Sequence, residues 1–135
     1  MNFAESLAAY SLVTYVLQVK DRHNGNILLD NDGHIIHLDW GFIFTSSPAG
    51  NMNFEKSPFK LTDEFVDVLN GMESKYFRHF RQCLIDGYHA IHHKADEFIT
   101  LVEMMTLSQG DLACFVGGRD EVIDELWSRL LPYKG

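Results

Sequence analysis

Asp21-Arg22-His23-Asn24-Gly25-Asn26, then Ile27-Leu28-Leu29, Asp30-Asn31-Asp32-Gly33, His34-Ile35-Ile36-His37-Leu38 and Asp39-Trp40-Gly41, follow one another without a break. The first six residues are too polar and turn-prone to continue a helix. The two apolar runs have β character. Asp, Asn and Gly between them tolerate the positive φ that tight hairpins require. The stretch predicts a β-hairpin with Asn26 at one flank and Asp39 at the other.

Working outward, Ala8, Leu12, Val16 and Val19 recur at helical spacing, and Leu7, Val13 and Leu17 widen the stripe. A helix over residues 3–18, apolar around most of its circumference, is expected to be buried. Beyond the hairpin, residues 41–61 show no period, and Ser46, Ser47, Pro48, Gly50 and Pro58 mark a long loop. Loops of that length in compact domains are usually functional or disordered. Thr62 is a natural N-cap for a helix over residues 63–69, whose acidic first turn suits the helix dipole. Phe77, Phe80, Leu84, Tyr88 and Ile91 form the apolar face of a second helix. Phe98, Leu101, Val102 and Met105 mark a third, and Val122, Ile123, Leu126, Trp127 and Leu130 a fourth. The fold class is α+β, mostly α-helical, with one small hairpin.

Composition narrows the partners. A net charge of −8 argues against nucleic-acid binding, which needs basic surface to displace phosphate counterions. Lipid contact would have to be local. Two cysteines, Cys83 and Cys114, make neither a disulfide framework nor a zinc site, and fit small apolar packing positions in a reduced, cytosolic setting. The apolar run 7–19 is interrupted by Ser11, Thr14 and Gln18, so neither a membrane span nor a secretory signal is read there.

The chemistry lies at the hairpin flanks. Magnesium takes hard oxygen ligands, commonly a carboxylate or two with phosphate oxygens and water. Asn26 and Asp39 can supply such oxygens. Asp21, five residues before Asn26, is near enough to face the same cleft. That interval, with an Asp-aromatic-Gly one hairpin later, matches the kinase catalytic loop. The order Asp-Arg-His in place of His-Arg-Asp resembles the phosphoinositide 3- and 4-kinase superfamily. Lys20, Asn24-Gly25 and Leu61-Thr62-Asp63-Glu64 look like phosphatidylinositol 4-kinases, as do Ser6-Leu7-Ala8-Ala9-Tyr10 and residues 42–48. Phe59-Lys60-Leu61-Thr62 with Glu64-Phe65-Val66-Asp67-Val68 leans toward the type III beta branch. The resemblance is dense over residues 3–71 and looser through Cys114-Phe115. Its one departure is Trp40, where the family usually has Phe.

The resemblance implies a partial catalytic domain over residues 1–135: a protein-kinase-like C-lobe, truncated, with the hairpin at its catalytic edge. Its parts are a catalytic loop at 20–28, an activation loop at 39–61 and a helical remainder at 62–131. The parent would transfer the γ-phosphate of ATP to the 4-hydroxyl of phosphatidylinositol, as a peripheral protein of intracellular membranes, Golgi-type by family. Asp21 and His23 would be catalytic, and Asn26 and Asp39 would hold Mg2+, or Mn2+, and with it the nucleotide. Which of Asp21 and His23 takes the proton stays open, since free histidine titrates near 6.5 and suits a base better than aspartate near 3.9, while loose phosphoryl transfer needs little base assistance. Lys56 and Lys60 are the candidate lipid-reading cations, and a loop so weakly basic suits unphosphorylated phosphatidylinositol. Phe42, Phe44, Phe54 and Phe59 would either dip toward lipid or pack on the lobe. The glycine-rich strand-turn and strand lysine that grip ATP are not found upstream of Asp21, so the isolated chain is expected to be inactive. The rivals are a fragment of a phosphoinositide-kinase-related protein kinase and a non-catalytic docking or regulatory module. His34 and His37, read as sharing a strand face, and His89, His92 and His93 are taken as structural or surface residues.

Overall fold

The computed structural model describes residues 1–50 and 57–131. Five α-helices, three short 3-10 turns and one two-stranded ribbon make up the regular structure among these residues. Helix α1 (Asn2–Leu17) is the shared axis, with Ala4, Leu7, Ala8, Ser11, Leu12, Thr14 and Val16 all buried. It ends because Gln18 turns left-handed, at φ 53°, so that Val19 N–H donates back to Thr14 O at 3.0 Å.

Strands β1 (Ile27–Leu29) and β2 (Ile35–His37) pair antiparallel, with Ile27 opposite His37 and Leu29 opposite Ile35. The turn between them is held by Asp30, whose Oδ1 accepts from Asp32 N at 2.9 Å and His34 N at 2.8 Å. Those bonds, the His34 backbone N–H foremost, hold the Asp30 carboxyl below its ordinary range. Gly33 takes a φ of 90° there, as the turn chemistry anticipates. Ser6 Oγ on α1 accepts from Ile35 N at 3.0 Å and fixes the ribbon to the helix.

Helix α2 (Asp63–Val68) starts at Thr62, whose hydroxyl accepts from Phe65 N at 3.3 Å. Helix α3 (Lys75–His93) starts likewise at Ser74 and crosses α1. The crossing is close: a Cβ at Gly87 would stand 2.3 Å from Leu12 Cδ1. Helices α4 (Ala95–Ser108) and α5 (Arg119–Leu130) pack together against the far end of α1. One core cluster gathers Val16, Phe44, Ile99, Val102, Phe115, Val122, Leu126 and Leu130, and the other Ala4, Leu7, Ala8, Ile35, Leu69 and Phe80. Carbonyls at the end of α5 are taken up by side chains from α1 and α3. Tyr88 Oη donates to Arg129 O at 2.8 Å, and His92 Nδ1 bonds Leu130 O at 2.7 Å.

On α4 the buried stripe is Ala95, Ile99, Val102 and Thr106, with Phe98 partly packed on the same core, while Leu101 and Met105 are exposed. The expectation that His34 and His37 share a strand face needs correction, because an odd spacing puts them on opposite sides of a strand. His34 stands outside, 2.9 Å from Asp30 Oδ2, and His37 is buried.

Leu126 is fully enclosed at the α4–α5–α1 junction. Leu126→Ala is expected to lower the stability of the chain by about 2–5 kcal/mol, measured by urea denaturation.

Candidate functional site

The ribbon's open end carries the site. Just outside the paired strands, Leu38 N–H donates to Asn26 O at 2.7 Å, which keeps the two flanks together one residue beyond the last β pair. Asn26 is buried, and its Nδ2 donates to Asp21 O at 2.8 Å. That bond leaves Oδ1 as the amide oxygen able to face a cation. Asp39 is exposed next to Leu38, and one of its carboxylate oxygens accepts from Gly41 N at 3.3 Å. Asp21 and Asp39 both sit in the left-handed region, at φ 64° and 55°, a conformation that aspartate adopts more readily than most residues and that clusters at functional sites.

His23 lies beside them, with Nε2 3.8 Å from Asp21 Oδ2. Gly25 N–H donates to His23 Nδ1 at 3.1 Å. A neutral ring so engaged carries its proton on Nε2. Asn26 Nδ2 also approaches Nε2, at 3.2 Å, and could donate to it only in the opposite tautomer. The backbone bond decides the tautomer, since Gly25 N–H has a fixed direction. Any side chain at position 25 would press on the ring, for a Cβ there would be 2.9 Å from His23 Cε1.

The loop that follows is clipped to the helical body at its start. Lys20 N donates to Phe42 O at 2.9 Å, Phe44 N to Leu17 O at 2.9 Å, and Thr45 Oγ1 to Cys114 O at 2.9 Å. Phe44 is buried and stacked on Phe115, and Phe42 and Phe59 are half-buried, so these loop aromatics pack on the body. At the loop's far side, Lys60 Nζ donates to Asn24 Oδ1 at 2.8 Å and lies 5.8 Å over the Phe65 ring. Of the expected site residues, Asp21, His23 and Asn26 are in direct contact, Asp39 lies beside Asn26 through the Leu38–Asn26 backbone bond, and Lys60 reaches the loop through Asn24. Lys56 and Phe54 lie outside the described residues.

Sequence reasoning missed Arg22. It is only 4% exposed, and its guanidinium donates to Lys20 O at 3.0 Å, to Leu38 O at 2.7 Å and to Asp39 O. Its Nη1 is 3.5 Å from His37 Nδ1. Burial, with the Arg22 and Lys60 charges behind it, pulls the His37 imidazole down to about 4.

Among the described residues, no three His, Cys, Asp or Glu side chains could hold a metal ion by themselves. One amide oxygen and one carboxylate fit a magnesium ion that keeps waters and takes phosphate oxygens from a substrate. They would not make a closed structural metal site.

Comparison with known proteins gives the family. A family profile described as phosphatidylinositol 3- and 4-kinase matches residues 1–110. The chain belongs to that family. It is 52% identical over 128 residues to a phosphatidylinositol 4-kinase of Dictyostelium discoideum, covering 95% of this chain and 11% of that protein. Phosphatidylinositol 4-kinase beta 1 of Arabidopsis thaliana is 50% identical over 121 residues, 87% of this chain and 10% of the relative. For phosphatidylinositol 4-kinase beta of Xenopus laevis the figures are 53% over 117 residues, 86% and 14%. The family segment here therefore spans only 10% to 14% of the length of these relatives.

His37 supplies a pH test of the site's packing. Its folded value, about 4, lies below the ordinary 6.5, so the unfolded chain binds the extra proton between those values. The stability it contributes is complete above about 6.5 and is lost as pH falls toward about 4. Guanidinium melts at pH 7 and pH 5 should show a larger loss for the native chain than for His37→Gln. Equal losses would remove His37 from the account.

Proposed function

We propose that this chain supplies the catalytic and metal-binding loops of a lipid kinase, within a protein-kinase-like C-lobe, and that the whole protein transfers the γ-phosphate of ATP to the 4-hydroxyl of phosphatidylinositol. The observation that carries the reading is the meeting of Asn26 and Asp39 at the ribbon's open end, sealed by the Leu38–Asn26 backbone bond, with Asp21 and His23 alongside. The names of the relatives favour a lipid acceptor over a peptide. A peripheral association with intracellular membranes belongs to the same proposal.

Mg2+, held by Asn26 Oδ1 and the Asp39 carboxylate, would neutralise charge on the nucleotide's phosphates, and Mn2+ would suit the same oxygens. Phosphoryl transfer asks the protein chiefly for positioning and charge stabilisation. Here Asp21 takes the acceptor role toward the attacking hydroxyl. His23, with Nδ1 bonded by Gly25 N–H, presents Nε2–H as a donor toward the transferred group. Lys60 sets a single ammonium beside Asn24, one residue from His23, which suits a substrate whose headgroup bears one phosphodiester charge. The ribbon's outer face, with Leu28 and Leu38 exposed, gives the nucleotide base an apolar surface next to the metal-binding oxygens.

The test is a lipid-kinase assay on the full-length protein with phosphatidylinositol vesicles. Asp39→Asn removes a metal-ligand charge and should cut turnover by orders of magnitude. Asp21→Asn should cost about 10²–10⁴-fold in kcat, and Lys60→Ala should raise KM for the lipid while leaving kcat close to the native value. Full turnover in Asp39→Asn would sink the proposal.

A further inference from the structure

Resting on that reading of Asn26 and Asp39, we propose that Arg22 is a positioning residue for the metal, and that Trp40 is the side chain that holds Arg22 to the task. Arg22 lies between the two acidic and imidazole groups of the catalytic loop, yet its guanidinium turns inward. Its planar fork binds the backbone of both segments at once: Lys20 O before Asp21, and Leu38 O and Asp39 O at the metal-binding flank. A buried guanidinium is retained only where its donors are satisfied, and these carbonyls satisfy them in directions that a lysine could not reproduce. Bonding to Asp39's own carbonyl fixes the peptide next to a left-handed Cα, so the fork sets where the Asp39 carboxylate stands relative to Asn26.

The aromatic groups around it are arranged for the same end. The Trp40 ring centre lies 5.7 Å from the guanidinium carbon. Tyr10 stacks on His37 at 4.7 Å and reaches Trp40 at 6.2 Å, so α1, β2 and the residue after Asp39 close over one cation. Indole gives a stronger cation–π surface than a phenyl ring. A tryptophan immediately after the metal-binding aspartate thereby couples the position of Asp39 to that of Arg22.

The experiment is binding of Mn2+–ADP to the full-length protein, read from the electron paramagnetic resonance line shape of the protein-bound ion, with the urea midpoint of each variant as the measure of folding. Arg22→Lys, which keeps the charge and removes the fork, should weaken Mn2+ binding about tenfold or more, Trp40→Phe should weaken it less, and Asp39→Asn should abolish it. Should Arg22→Lys fail to fold, Trp40→Phe decides by the same criterion. Mn2+–ADP affinity within about twofold of native in folded variants, whatever their urea midpoints, overturns the proposal, as does a native full-length protein that binds no Mn2+–ADP. A lipid-kinase assay on the full-length protein separates the two readings. Ordered losses of Mn2+ binding without lipid phosphorylation leave Arg22 as the positioning residue and remove the lipid-kinase reading. Lipid phosphorylation with unmoved Mn2+ affinity does the reverse.

Discussion

A single backbone hydrogen bond, from Leu38 N–H to Asn26 O, governs the geometry of the site. The ribbon is only three residues long on each side, and two-stranded ribbons of that size are marginal by themselves. It persists because Ile35 is buried against α1 and because Ser6 accepts its N–H. The core thus supplies the rigidity that the strands lack. The proposed catalytic and metal-binding groups are placed by a ribbon whose stability is borrowed from α1, which ends at Leu17, shortly before the ribbon begins.

The strain in the site is stabilised from the same direction. Asp21 and Asp39 hold left-handed conformations on either side of the ribbon, and a non-glycine residue gives up free energy to do so. Asn26 Nδ2 binds the carbonyl of the first, and Arg22 binds the carbonyl of the second. Each strained residue therefore has a buried neighbour bonded to its backbone carbonyl. The polar groups that do chemistry and those that hold the backbone are interleaved in sequence but separated in depth.

Much of this was legible in the residues. The turn at 30–33 is local chemistry, so the hairpin and the meeting of Asn26 with Asp39 followed from the sequence alone. Thr62 was legible as a cap for the same reason. The buried face of α4 was not, because Phe98, Leu101, Val102 and Met105 repeat as regularly as Ala95, Ile99, Val102 and Thr106. Only the position of α5 decides which stripe is covered. Arg22 was hidden more deeply, since arginine is seldom fully buried and nothing in its neighbours announces three carbonyls converging on it. Nor could spacing reveal which nitrogen of His23 bears the proton, a choice made by the backbone of Gly25.

Thr45 and Lys60 are tethered separately, one to the carbonyl of Cys114 and the other to the side chain of Asn24. The two tethers hold the described ends of the loop independently of each other. A substitution that cuts one tether therefore leaves the other end of the loop in place.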